Sequence, residues 1–215
     1  NSVTEFISGF FLPFDEYKIA SKLSNLEKYK GQTIDDILSD WENRRNRGTI
    51  VHKEIEDFIL KMNQNNTNYI TKSITNLDPK SKQGIEFLKK CDIYKNNVIF
   101  PEVKVFTEEL KLAGTIDLMI YNKPKNSISL IDWKTNIEIK KHGFRMGTKQ
   151  PTSKIEDCSF NKYELQLSMY KYILETYYHV NVSGLYIIHL KESSFKYLNC
   201  NFKSDTIKEM LLFNQ

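Results

Sequence analysis

The sequence predicts an α/β fold: one sheet with helices around it, preceded by a helical N-terminal section. Two patterns point to it. Residues 98–134 read as a strand meander, with period-two alternation and a turn between strands. On either side, residues 15–26, 33–41, 48–62, 78–91 and 161–178 carry apolar side chains at helical spacing. A chain of 215 residues suits a single domain with a good core. Residues 1–95 form its mostly helical N-terminal part, and residues 96–215 its sheet and flanking helices.

In chain order, residues 15–26 place Ile19, Leu23 and Leu26 on one side, and Gly31 ends the segment. Thr33 is an N-cap with Asp36 as its capping-box partner. Ile34, Ile37, Leu38 and Trp41 then make an apolar face, and the segment ends in Arg44, Arg45 and Arg47. Those arginines are open to two readings, a solvated helix end favoured by the dipole or a phosphate-contacting patch. Residues 48–62 form a further helix with Val51, Ile55, Phe58 and Met62 as its core stripe. His52 and Glu56, four apart, are neighbours on another face. Residues 63–76 are polar and read as a loop. Asp78-Pro79 opens a short helix running to Cys91, and Asn96-Asn97 is a turn.

The first strand spans residues 98–108 and carries Glu102. In the second, residues 110–121, alternation puts Ile116, Leu118 and Ile120 on one face and Thr115, Asp117 and Met119 on the other. Residues 122–126 are turn chemistry. Residues 127–133 form a third strand whose period places Asp132 and Lys134 on the same side. One hairpin thus carries a lone carboxylate, then a carboxylate and an ammonium two residues apart. Two carboxylates suit a hard divalent cation. Such an ion polarises a phosphate and activates a water, and a lysine beside it meets the charge that develops.

Residues 135–160 are long for a plain connection and contain Lys140, Lys141, His142, Arg145 and Lys149. They read either as a holder of nucleic-acid backbone or as a disordered connection. Residues 161–178 are a helix with Tyr163, Leu167, Tyr170, Leu174 and Tyr177 on one side. Residues 182–190 are a buried strand, 195–202 an edge strand, and 204–213 a closing helix.

Composition narrows the function classes. No run approaches the roughly 20 apolar residues of a membrane-spanning helix, so no membrane partner is expected. Residues 1–17 show neither a basic start nor a cleavage-site pattern, so no signal peptide is expected there. The net charge of +4 permits a polyanionic partner without requiring one. Cys91, Cys158 and Cys200 are scattered and odd in number. That argues for an intracellular, reducing compartment (cytoplasm, nucleus or mitochondrion, with a phage or viral origin also open).

Gly-Thr-Ile-Asp at 114–117, followed by Leu-Ile-Asp-Trp-Lys-Thr at 130–135, resembles the core of the PD-(D/E)xK nucleases. The likeness is to the RecB-like and Cas4-like branch, and within it to the mitochondrial genome maintenance exonuclease type. Gly48-x-x-x-His52 and Gln166-x-x-x-Tyr170 match the branch's flanking motifs in order; the usual proline before the first aspartate is Ile116. The resemblance implies a restriction-endonuclease-like mixed central sheet flanked by helices. It implies metal ligands at His52, Asp117, Asp132 and the Trp133 carbonyl, with Glu56 as an orienting carboxylate. It also implies a catalytic Lys134, Glu102 near the metal, and Gln166 and Tyr170 over the site. Mg2+ or Mn2+ is the expected cofactor. Cas4-type relatives bind an iron–sulfur cluster with four cysteines; three cannot supply it, so none is expected. The expected function is a metal-dependent exonuclease on single-stranded DNA or DNA ends, with RNA as another possible partner. Arg44, Arg45, Arg47, Lys140, Lys141, Arg145 and Lys149 would contact phosphates. The alternatives are a structure-specific or RNA-directed endonuclease of the cap-snatching kind, and a catalytically silent nucleic-acid-binding module.

Overall fold

Five strands form one mixed sheet in the order β1-β2-β3-β4-β5. They are β1 Asn97–Thr107, β2 Leu112–Asn122, β3 Ser127–Lys134, β4 Val182–Leu190 and β5 Phe195–Asn199. The helices are α1 Val3–Ser8, α2 Glu16–Ser24, α3 Ile34–Asn63, α4 Pro79–Lys90, α5 Ser159–Tyr177 and α6 Ser204–Phe213. The computed structural model describes residues 1–64, 76–91 and 96–213, so most of the polar stretch expected as a loop lies outside the described residues. Among the described residues, no helix is long and apolar enough to cross a membrane.

Strands β1, β2 and β3 make the expected antiparallel meander. Strand β4 runs parallel to β3 and is reached through α5, because parallel neighbours need a long crossover. Strand β5 closes the edge antiparallel to β4. Two apolar layers sandwich the sheet. On one face α1, α5 and α6 contribute Val3, Phe6, Met169, Ile173, Ile207 and Met210. On the other, α3 and α4 contribute Val51, Ile55, Phe58, Ile59, Ile85 and Leu88.

The structure adds to or alters the sequence reading at three points. The helices expected over 33–41 and 48–62 are a single helix, α3. Gly48 does not break it; a glycine inside a helix costs only about 1 kcal/mol relative to alanine, and the core stripe beyond it outweighs that. The capping box of Thr33 with Asp36 starts this helix as expected. Helix α1 carried no such expectation. It starts with its own capping box, Ser2 with Glu5.

The third change concerns strand phase. Leu118 and Ile120 pack on the α3/α4 layer, but Ile116 packs on the α1/α5/α6 layer. The alternation of β2 therefore reverses at Asp117. Strand β1 reverses opposite it, with Ile99 in one layer and Val105 in the other. Between them Glu102 adopts a left-handed backbone, φ 49°, at roughly 1–2 kcal/mol for a residue with a Cβ. Pro101 pairs with Leu118 and Val103 with Ile116, while Glu102 and Asp117 are skipped. The β2–β3 ladder also stops at Leu118 and Ile131. Ser2 bridges to Ala113 on β2 past that point.

Arg47 fixes α3 on the sheet. Its guanidinium donates to both oxygens of Asp78, at 2.6 and 3.0 Å, and to both of Glu192, at 2.7 and 2.9 Å. Asp78 caps α4 and Glu192 follows β4. Burial pushes Asp78 up but Arg47 holds it below the usual carboxylate range; Arg47 also pulls Glu192 down. Carboxylates depressed on folding add stability above their unfolded values, lost as the pH falls through the folded ones. Arg47→Gln should cost about 1 kcal/mol at pH 7, discounted for exposure, and much less at pH 3. Urea unfolding at both pH values measures this; an equal cost at both would show that the charge pairing is irrelevant.

Candidate metal centre

The skipped pair is where the chemistry-bearing side chains gather. Continued by one residue, the β2–β3 register would set Asp117 directly opposite Asp132. The strands part there, and Asp117 supplies what the ladder lacks: its Oδ2 accepts the Trp133 N–H at 2.8 Å. Its Oδ1 lies 3.6 Å from His52 Nδ1, which also stands 3.9 Å from Glu102 Oε1. Helix α3 brings His52 from above, and the left-handed turn at Glu102 brings its carboxylate from β1. Donor atoms of His52, Glu102 and Asp117 all lie within 4.8 Å of one another.

One imidazole and two carboxylates are a donor set that could hold a divalent cation. Neighbouring donors about 2.1 Å from an octahedral ion stand roughly 3 Å apart, so small side-chain adjustments would close the observed separations. Of the expected ligands, His52 and Asp117 belong to this trio, joined by Glu102, which the resemblance places near the metal. Trp133 contributes its N–H to Asp117, while its indole is buried edge-on against Phe87.

Asp132 instead faces Lys134, with Nζ 2.7 Å from Oδ2. That oxygen is buried and makes no well-aligned hydrogen bond among the described residues. The Lys134 ammonium sits 4.3 Å from the centre of the Tyr163 ring. Tyr163, Gln166 and Tyr170 follow at helical spacing on α5, and Gln166 hydrogen-bonds Tyr170. Tyr163 has no place in the expected set, although its offset of three from Gln166 signals it. Gly114 makes room for this face: a Cβ there would stand 2.5 Å from the Tyr170 hydroxyl. Gly48 likewise lets α3 approach the chain after β3, where a Cβ would meet Thr135 Oγ1 at 3.0 Å. Buried His189 pins that segment through Nε2, 2.7 Å from the Asn136 carbonyl.

The charges act as one cluster. Burial pushes His52 down, but Asp117 beside it raises it further than that, to a net increase. Burial pushes Asp117 up, and His52 and Lys134 bring it below its ordinary value. Burial and the Asp117 charge raise Glu102 to about 7. Burial lifts Asp132, Lys134 opposes and Asp117 adds, leaving it at about 6. Burial lowers Lys134, yet Asp132 and Asp117 hold it above the usual lysine value.

The expected phosphate contacts divide. Arg44 pairs with Asp40 at 2.6 Å and Arg45 with Glu16 at 2.8 Å, both on the surface, while Arg47 is committed to its two carboxylates. These three and Lys140 line one cleft. Lys141 lies in a separate pocket with Lys154 and Lys203. Lys149 is stacked over Phe10, 4.7 Å from its centre, away from the trio. Arg145 is exposed on the same connection, which is tied down by the Met146–Glu156 bridge and by Thr148 and Thr152 on the Phe10 carbonyl. Glu56 lines the concavity beside His52 and Glu102 but pairs with Lys53 at 3.0 Å.

Glu102 carries a pH signature. A carboxyl raised on folding contributes stability below its unfolded value, lost as the pH rises through the folded one. In chelator, stability should therefore fall between about pH 4.5 and about 7, and Glu102→Gln should remove part of that fall. Mn2+ binding at pH 6 should release protons, read as a buffer-dependent heat. A pH-independent stability and no proton release would show Glu102 ionised already.

No family model matches the chain, and no curated protein matches it either.

Proposed function

We propose that the chain is a metal-dependent nuclease, hydrolysing phosphodiester bonds of single-stranded DNA or of DNA ends. The observation that carries the reading is the trio of His52, Glu102 and Asp117 set beside the Asp132–Lys134 pair, where two strands part. A divalent cation held by that trio would supply Lewis-acid polarisation of the phosphate.

The remaining work falls to the protein's own side chains. Lys134 presents a fixed positive charge that counters the negative charge growing on phosphorus. Asp132 holds the ammonium in place at 2.7 Å, and Tyr163 limits its travel from the other side. Gln166, bonded to Tyr170, offers an amide toward the same region. Arg44 and Arg45 lie in exposed ion pairs, which contribute little to stability and exchange readily for phosphate. The motifs shared with the PD-(D/E)xK nucleases support the same chemistry.

End-labelled single-stranded, blunt and circular DNA, incubated with Mg2+ or Mn2+, tests the reading. Linear strands should shorten from an end while closed circles survive; cut circles would favour the endonuclease alternative. Mn2+ should serve at least as well as Mg2+, because imidazole suits it better. Full activity in EDTA would remove the metal from the account.

Lys134→Met should keep metal affinity, since the ammonium is outside the donor trio, and most DNA affinity. It should lose about 10²–10³ in single-turnover rate. Asp117→Asn should lose both cleavage and Mn2+ binding. Wild-type-like cleavage by Lys134→Met would remove the proposed role of the lysine; DNA binding without cleavage by the wild type would favour the silent module.

A further inference from the structure

Beside the trio, under the N-terminal helices, lies a second concavity of about 840 Å3. It shares Arg45 and Gly48 with the smaller hollow that holds His52 and Glu102, so the two adjoin. Its lining combines two chemistries. Phe14, Trp41 and Tyr29 present aromatic rings; Arg44 and Arg45, in surface ion pairs with Asp40 and Glu16, and Lys140 present cations, with Glu138 and Glu192 also in the lining. Phe14 and Trp41 stand 5.7 Å apart between ring centres, tilted by 47°. Phe14 is 63% exposed.

An aromatic pair with one ring exposed and the other half-buried, set among cations, matches the two faces of a single-stranded nucleic acid. Bases stack on rings, and phosphates meet the positive charge. A duplex keeps its bases stacked inside and offers the rings nothing. A polyanion without bases would engage the cations alone.

We propose that this cleft is a stacking subsite for an unpaired base of single-stranded DNA, with Phe14 and Trp41 taking the base and Arg44, Arg45 and Lys140 the adjoining phosphates. The inference rests on the nuclease reading for its direction, since the strand then passes Arg45 and Gly48 to reach His52.

The test is equilibrium binding in EDTA, where no cleavage occurs. The ligands are a labelled thymidine oligonucleotide, an abasic strand of equal length, a duplex and an RNA of the same sequence. Trp133 is 2% exposed, so quenching of tryptophan fluorescence reports on Trp41. The thymidine strand should quench it, and the abasic strand and the duplex should not. Trp41→Leu keeps apolar packing but removes the ring. It should weaken the thymidine strand by roughly 5- to 100-fold and leave the abasic strand unchanged. Phe14→Leu should act in the same direction and, with wild-type quenching, carries the test if Trp41→Leu fails to fold. Equal losses on both strands, or none, would overturn the subsite. RNA quenching far more strongly than DNA would overturn the DNA assignment. Base-dependent binding without cleavage in Mn2+ would remove the nuclease reading and leave the subsite standing. Cleavage without base-dependent binding would do the reverse.

Discussion

Two carboxylates that the strand register would set face to face govern this structure. Asp117 and Asp132 come from neighbouring strands at the point where the ladder between them ends. Like charges directly opposite in a sheet repel, and burial deepens the penalty because the low dielectric screens them less. The strands part instead, and each carboxylate takes a separate partner: Asp117 the Trp133 N–H and His52, Asp132 the Lys134 ammonium. Helix α3 must pass close enough to deliver His52, which requires a glycine at 48 opposite Thr135. Helix α5 must lie close enough to place Tyr163 against Lys134, which requires a glycine at 114 opposite Tyr170.

The arrangement is costly to the empty protein. Glu102 holds a left-handed backbone and a carboxyl raised to about 7, and Asp132 is raised to about 6. Strain and displaced proton affinities of this kind concentrate where a protein is organised for a ligand rather than for its own stability. The apolar layers on the two sheet faces and the Arg47 clamp on Asp78 and Glu192 supply the stability that holds the site together.

Much of this was legible in residue order because the signals are local. The period of β3 put Asp132 and Lys134 on one side, and there they form an ion pair. The Thr33–Asp36 box marked the start of α3, and β4 and α6 occupy their expected spans. What was illegible is long-range. Nothing near Glu102 announces a positive φ, which arises because β1 and β2 change faces together. Reading β2 as strictly alternating therefore misplaced Ile116 relative to Leu118. The partners of Arg47 lie 31 and 145 residues away, beyond what the local pattern of a basic helix end can show. Nothing near Lys149 in the sequence announces its stacking on Phe10, which lies far earlier in the chain.

The central claim is that the fold draws His52, Glu102 and Asp117 together to hold one divalent cation. Anomalous scattering from crystals soaked in Mn2+ tests it most directly. The account predicts a single strong peak between these three side chains, within about 2.5 Å of the imidazole Nδ1 and of one oxygen from each carboxylate. No peak there, or one placed between Asp132 and other groups with Glu102 uninvolved, would contradict it.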